Sequence, residues 1–89
     1  MSARHFVPAR PVVVLTQWPD GAPQQWCWRG RLQQTTRVEA MWTVTTGWWQ
    51  GETASTVRAN YRLRTRTGLI CVLYCERMTG AWYLDQILD

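Results

Sequence analysis

The chain has 89 residues, enough for one small domain and no more. Ten Arg, no Lys and six carboxylates leave a net charge of +4. That balance fits a polyanionic partner as well as plain solubility, because guanidinium forks stack on rings and pair with phosphate or carboxylate. The N-terminus lacks the apolar stretch of a secretory signal, and no apolar run approaches the roughly 18–20 residues that span a bilayer. Three cysteines, Cys27, Cys71 and Cys75, form no CxxC and cannot all pair within one molecule. The expectation is a cytoplasmic protein with free, mostly buried thiols and no membrane contact.

A domain of this size buries only about 60–65% of the surface its unfolded chain exposes, so its core must come from large side chains. Seven Trp, three Tyr and one Phe supply them, each ring burying on the order of 150–250 Å². Most of these rings are read as core.

Taken in chain order, residues 1–10 carry Pro8 without useful periodicity and are read as an extended arm leading into a domain over residues 11–89. PVVVLTQW is a β-branched first strand, and PDGAP forces a turn between Pro19 and Pro23. Two strands follow around a tight turn at Arg29-Gly30, with Trp26 and Trp28 on one face and Cys27 on the other. In the second of them Val38, Ala40, Trp42 and Val44 alternate with Glu39, Met41, Thr43 and Thr45, a period of two. GWWQGE reads as a loop or brief edge strand.

Residues 57–66 alternate strictly. Val57, Ala59, Tyr61, Leu63 and Thr65 share one face, and Arg58, Asn60, Arg62, Arg64 and Arg66 share the other. Thr67-Gly68 turns the chain into LICVLYCE, apolar on both faces and so a central strand. A two-residue loop would set Tyr61 opposite Tyr74 and Leu63 opposite Val72. Met78-Thr79-Gly80 turns again, and AWYLDQIL closes the chain. With no helical stripe of ten residues anywhere, the fold expected is all-β. It is a small, strongly twisted antiparallel sheet or SH3-like barrel of six to seven short strands with an extended N-terminal arm.

Catalysis finds little support. The carboxylates Asp20, Glu39, Glu52, Glu76, Asp85 and Asp89 are scattered, His5 is the single histidine, and no nucleophile, phosphate-loop or metal motif occurs. The expectation is no catalytic residue, no metal and no cofactor. The arginine row is the more informative feature. Arg58, Arg62, Arg64 and Arg66 would extend about 26 Å along one strand face, and Arg29 and Arg31 beside the hairpin turn would lengthen it. Such a row suits nucleic-acid phosphates, single-stranded or duplex, with exposed rings stacking on unpaired bases. An acidic protein partner and a solvated outer face, its stems covering Leu73 and Cys71, are the rival readings. Trp48 and Trp49 point to opposite sides of an extended chain, which leaves one as a partner-binding anchor.

The order RPVVV, WRGR, a Trp-bearing strand, GWW, NYRLRTRTG, an apolar strand and GAWYLDQILD resembles a known domain from Pro11 to Asp89. It is the small uncharacterised domain at the C-terminus of ImuB-type Y-family-polymerase-like mutasome proteins, which also occurs as free-standing short bacterial proteins. Trp28, Arg29, Gly30, Arg31, Trp42, Trp48, Trp49, Tyr61, Arg62, Trp82, Tyr83 and Leu84 match its pattern. The chain departs from it in reading Arg58-Ala59-Asn60-Tyr61 where many relatives have Arg-x-Tyr-Tyr, and Cys75 where they have an acid. The resemblance implies a non-catalytic accessory in bacterial DNA repair or translesion synthesis, with DNA or mutasome and other repair proteins as partners. The alternatives are a stand-alone single-stranded nucleic-acid binder and a domain that dimerises by pairing sheet edges.

Overall fold

A computed structural model describes residues 3–46 and 56–88. Six strands make up nearly all of them: β1 (Ala3–Gln17), β2 (Pro23–Trp28), β3 (Arg31–Thr46), β4 (Thr56–Thr65), β5 (Ile70–Glu76) and β6 (Trp82–Leu88). Every sequential pair is antiparallel, and β6 returns to β1, so the sheet closes into a barrel in the order β1-β2-β3-β4-β5-β6. The all-β architecture expected from the alternating pattern is the one observed. Each strand is hydrogen-bonded on both sides, leaving no open edge among the described residues for pairing between copies.

Two long strands make closure possible. β1 pairs with β6 through its first part, as in Arg4 opposite Ile87 and Val12 opposite Trp82, then with β2 from Val13 onward. β3 likewise pairs with β2 over residues 31–34 and with β4 from Thr35. Each long strand therefore turns a corner between the two halves of the barrel. Residues 3–10 form the first part of β1 and pack onto the barrel. Ala3, Arg4 and His5 face Leu88, Ile87 and Gln86 across the ladder, and the Phe6 ring is buried against Trp28 in an edge-on contact at 5.7 Å. Proline is tolerated at position 8 because the ladder is interrupted between His5 and Arg10, whereas Pro11 lies in the resumed ladder opposite Tyr83.

The interior is filled by Phe6, Val12, Ala22, Trp26, Tyr61, Leu63, Cys71, Leu73 and Leu84, with Trp18, Trp28 and Trp82 packed around them. Trp26 is 1% exposed and donates its indole N–H to Thr35 Oγ1 at 3.2 Å, so the ring is buried with its polar atom satisfied. β5 is buried on both faces: Cys71 and Leu73 point inward, while Val72 and Tyr74 are covered on the outside.

Turn chemistry sets the register, and at one turn it differs from expectation. The Gly68 N–H donates to the Thr65 carbonyl at 2.9 Å and Gly68 has φ +92°. This is a turn over Arg66-Thr67 followed by a left-handed glycine, a three-residue loop rather than two. The extra residue moves Tyr61 from Tyr74 to Leu73 and Leu63 from Val72 to Cys71. The arginine stems accordingly flank Val72 and Tyr74, not Leu73 and Cys71. The β2–β3 turn is as tight as expected, with Trp28 directly opposite Arg31. Both its central residues lie in the left-handed region, Arg29 at φ +53° and Gly30 at +72°. An L-residue with a side chain there costs about 1–2 kcal/mol.

A second difference lies in β3. Val38 faces Leu63 and belongs to the interior, but the ladder then skips a residue at Glu39. This bulge reverses the alternation, so Ala40, Trp42 and Val44 face Arg62, Asn60 and Arg58 on the outside. The sequence period alone puts Trp42 and Val44 on the face of Val38. They are instead among the exposed large apolar side chains, Trp42 at 42%.

Candidate nucleic-acid interface

The outer face of β3 and β4 gathers the basic side chains because both strands alternate and two irregularities in β3, at Thr36 and at Glu39, align their outward phases. Arg64 lies opposite Arg37, Arg62 opposite Ala40, Asn60 opposite Trp42 and Arg58 opposite Val44. Like charges directly opposite one another destabilise a sheet unless an anion lies between them. Glu39, carried on the bulge, supplies one. Arg64 Nε donates to Glu39 Oε2 at 3.3 Å, and Arg37 Nε lies 3.9 Å from the same oxygen.

The four arginines expected to form one row do not behave alike. Arg58 is clamped: its Nε is 3.7 Å from Glu76 Oε2, and its guanidinium lies 4.6 Å from the Tyr74 ring centre. Tyr74 in turn stacks on Tyr83 at 5.2 Å. Burial is the first cause that raises the Tyr74 phenol above its ordinary value, with Arg58 opposing it. Arg64 is shared with Glu39. Arg62 is exposed and has no ion pair among the described residues. Arg66 leaves the row, because β4 ends at Thr65 and Arg66 belongs to the following turn. There it is exposed, its backbone N–H donating to Gln34 O at 2.8 Å and its guanidinium reaching Gln34 Oε1 at 3.4 Å.

Arg29 and Arg31 lie off this face, at the mouth of the barrel beside Trp28. The Arg29 guanidinium lies 4.7 Å from the Trp28 ring centre. Trp48 and Trp49, expected as a partner anchor, fall outside the described residues. Trp42 is the ring that sequence reasoning missed. It lies on the same outer face as Arg58 and Arg62, across from the intervening Asn60, so a flat apolar platform is set among cations. Glu39 alone could not signal this, because the same strand also carries Arg31 and Arg37.

The site offers phosphate-pairing forks and a stacking surface, and little acid–base chemistry. Among the described residues no group of three or more His, Cys, Asp or Glu side chains comes together to hold a metal ion. Cys71 is buried, and desolvation pushes its thiol up to about 11, which keeps it protonated and unreactive near neutrality. Cys75 and Tyr61 are raised as well, burial again being the first cause.

Comparison with characterised proteins and with solved structures returned no match to this chain. A family of small domains described as a domain of unknown function, DUF6504, matches over residues 6–89, nearly the entire length. The matched span begins at Phe6, the ring that ties β1 into the interior. The chain is a member of the DUF6504 family.

Proposed function

We propose that this domain is a non-catalytic binding module that takes the sugar-phosphate backbone of nucleic acid along the outer face of β3 and β4. The observation that carries the reading is the charge arrangement. Arg37, Arg58, Arg62 and Arg64 share one face with Arg66 at its end, against two carboxylates, Glu39 and Glu76. Glu39 occupies the place between the opposed Arg37 and Arg64 that a bound phosphate would take over. Trp42 lies within reach of a base whose phosphate meets Arg62, and stacking on such a platform favours unpaired strands. The resemblance of the WRGR, GWW, YRL and WYL pattern to the C-terminal domain of ImuB-type proteins supports a setting in bacterial DNA repair or translesion synthesis. There the module would act as an accessory to repair proteins.

Titration of a labelled oligothymidylate at increasing salt tests the reading. Phosphate contacts make log K fall linearly with log salt, by about 0.7 per contact for single strands. Arg62→Ala should weaken binding and reduce that slope by about 0.7 while leaving the fold intact, since the side chain is exposed. A folded protein that binds neither single-stranded nor duplex DNA at low salt would remove the proposal and leave an acidic protein partner for this face.

A further inference from the structure

At the β2–β3 end the barrel opens into a cavity of about 470 Å³, lined by Trp26, Trp28, Arg29, Arg31, Gln33 and Leu69. That volume is in the range of small-molecule sites, about 300–1,000 Å³. The hollows at the opposite end, around Tyr61 and Arg77, are smaller, about 220 and 280 Å³. Its lining follows from register. Trp26 faces Gln33 and Trp28 faces Arg31 across the β2–β3 ladder, all four on the inward side, so two indoles alternate with an amide and a guanidinium. The Trp26 ring is 1% exposed and its indole N–H is committed to Thr35, so it backs the cavity from within and half-buried Trp28 is the indole that the cavity presents. Among the described residues no carboxylate lines the cavity, while two arginines do.

Arg29 adds an independent sign. Tight turns of this type favour Asn, Asp or Gly where both central residues are left-handed. Here an arginine is held at φ +53° with its guanidinium over the Trp28 ring at the cavity rim. Strain at a named residue is where function is to be sought. A cation–π contact at so exposed a position is weak, and a phosphate can draw the guanidinium away from the indole and free its face.

The cavity is joined to the arginine face. A shallow groove of about 200 Å³ runs between Leu32, Gln33, Gln34, Arg66 and Thr67, and Gln33 belongs to both the groove and the cavity. Basic side chains therefore lead from Arg62 and Arg64 through Arg66 to Arg31 and Arg29.

We propose that this cavity receives a single nucleotide unit. Its base lies against the Trp28 indole with its polar edge at the Gln33 amide, and its phosphate meets Arg29 and Arg31. The occupant is an unstacked nucleotide of the strand that follows the β4 arginines, so the inference rests on the nucleic-acid reading. A free mononucleotide carries the same chemistry and is distinguished by the test.

The experiment compares three probes on the intact protein by titration calorimetry. They are oligothymidylate, the same oligomer with abasic sites, and thymidine monophosphate. Stacking of one base on an aromatic side chain predicts a loss of roughly 5- to 150-fold when the bases are removed. Trp28→Ala should shrink the difference between the two oligomers to the part that Trp42 on the arginine face supplies. Because Trp28 also packs on Phe6 and its loss can unfold the barrel, Arg31→Ala serves as a second variant, at the exposed first residue of β3. It should weaken thymidine monophosphate and oligothymidylate alike. Abasic and intact oligomers binding equally, with the salt slope retained, would overturn the cavity while leaving the arginine face in place. Binding of thymidine monophosphate alone, sensitive to Arg31→Ala, would keep the cavity and remove the strand. Binding of none of the three overturns both.

Discussion

Glu39→Gln should strengthen nucleic-acid binding, an uncommon direction for a surface substitution. Glu39 is the acceptor for Arg64 at 3.3 Å and lies 3.9 Å from Arg37, with its side chain only 21% exposed. Five arginines on or at the end of the face, less the carboxylates Glu39 and Glu76, leave about three charges for phosphates, hence a single-strand salt slope near −2.1. Removing the Glu39 charge makes that about four, and a slope near −2.8. An exposed ion pair contributes at most about 1 kcal/mol to the fold, so the variant should remain folded. Relief of a similar energy in the complex corresponds to roughly fivefold tighter binding at low salt, fading as the Debye length shortens toward about 8 Å at physiological ionic strength. Anisotropy of a labelled oligothymidylate at several salt concentrations reads both quantities. Adding Arg64→Ala to Glu39→Gln should return the slope to the wild-type value. A folded Glu39→Gln protein with unchanged slope, or with weaker binding, would refute the claim that the bulge carboxylate competes with phosphate.

Arg29→Asn should raise the thermal midpoint, since Asn tolerates the left-handed conformation that costs arginine about 1–2 kcal/mol, and should weaken thymidine monophosphate; thermal melting with and without the nucleotide checks both. Leu63→Ala, at a fully buried site between Val38 and Cys71 in the ladder, should cost about 2–5 kcal/mol in denaturant unfolding. Cys71 links stability to alkaline pH. Its folded value of about 11 lies above the ordinary thiol value of 9.0, so the folded state holds its proton longer and the stability this provides, complete below about pH 9, is lost as pH rises toward 11. Between those limits one thiol contributes a slope approaching about 1.4 kcal/mol per pH unit. Cys71→Ala should flatten the decline of the urea midpoint over that window, less a residue due to Tyr61, Tyr74 and Cys75, which shift in the same direction.

What was legible in the amino-acid pattern was what depends on neighbours along one strand. Residues 57–66 alternate without interruption, and the interior takes Ala59, Tyr61, Leu63 and Thr65 while Arg62 and Arg64 stay exposed. What depends on a single inserted residue was not legible. Gly68 adds one position to a turn, which shifts every pairing between β4 and β5 and detaches Arg66 from the row. Glu39 adds one position to β3 without a glycine or proline to announce it, and Trp42 changes sides. Pairing between the chain's two ends was equally hidden. Nothing local to His5 or Pro8 signals Gln86, since a contact across the full chain length is selected by closure of the barrel and by the burial of Phe6.

The bulge at Glu39 unites these points, because one inserted residue performs three tasks that otherwise need separate explanations. It reverses the alternation of β3, turns Trp42 onto the outer face that carries Arg62, and delivers a carboxylate between Arg37 and Arg64. The first belongs to the fold and needs no charge, since any residue can occupy the extra position of a bulge. The third needs a charge and no particular backbone. A glutamate at that position is explained when the face must hold paired guanidinium groups in the free protein and release them to an anion on binding. Stability alone would favour replacing one of the opposed arginines, and the chain keeps both.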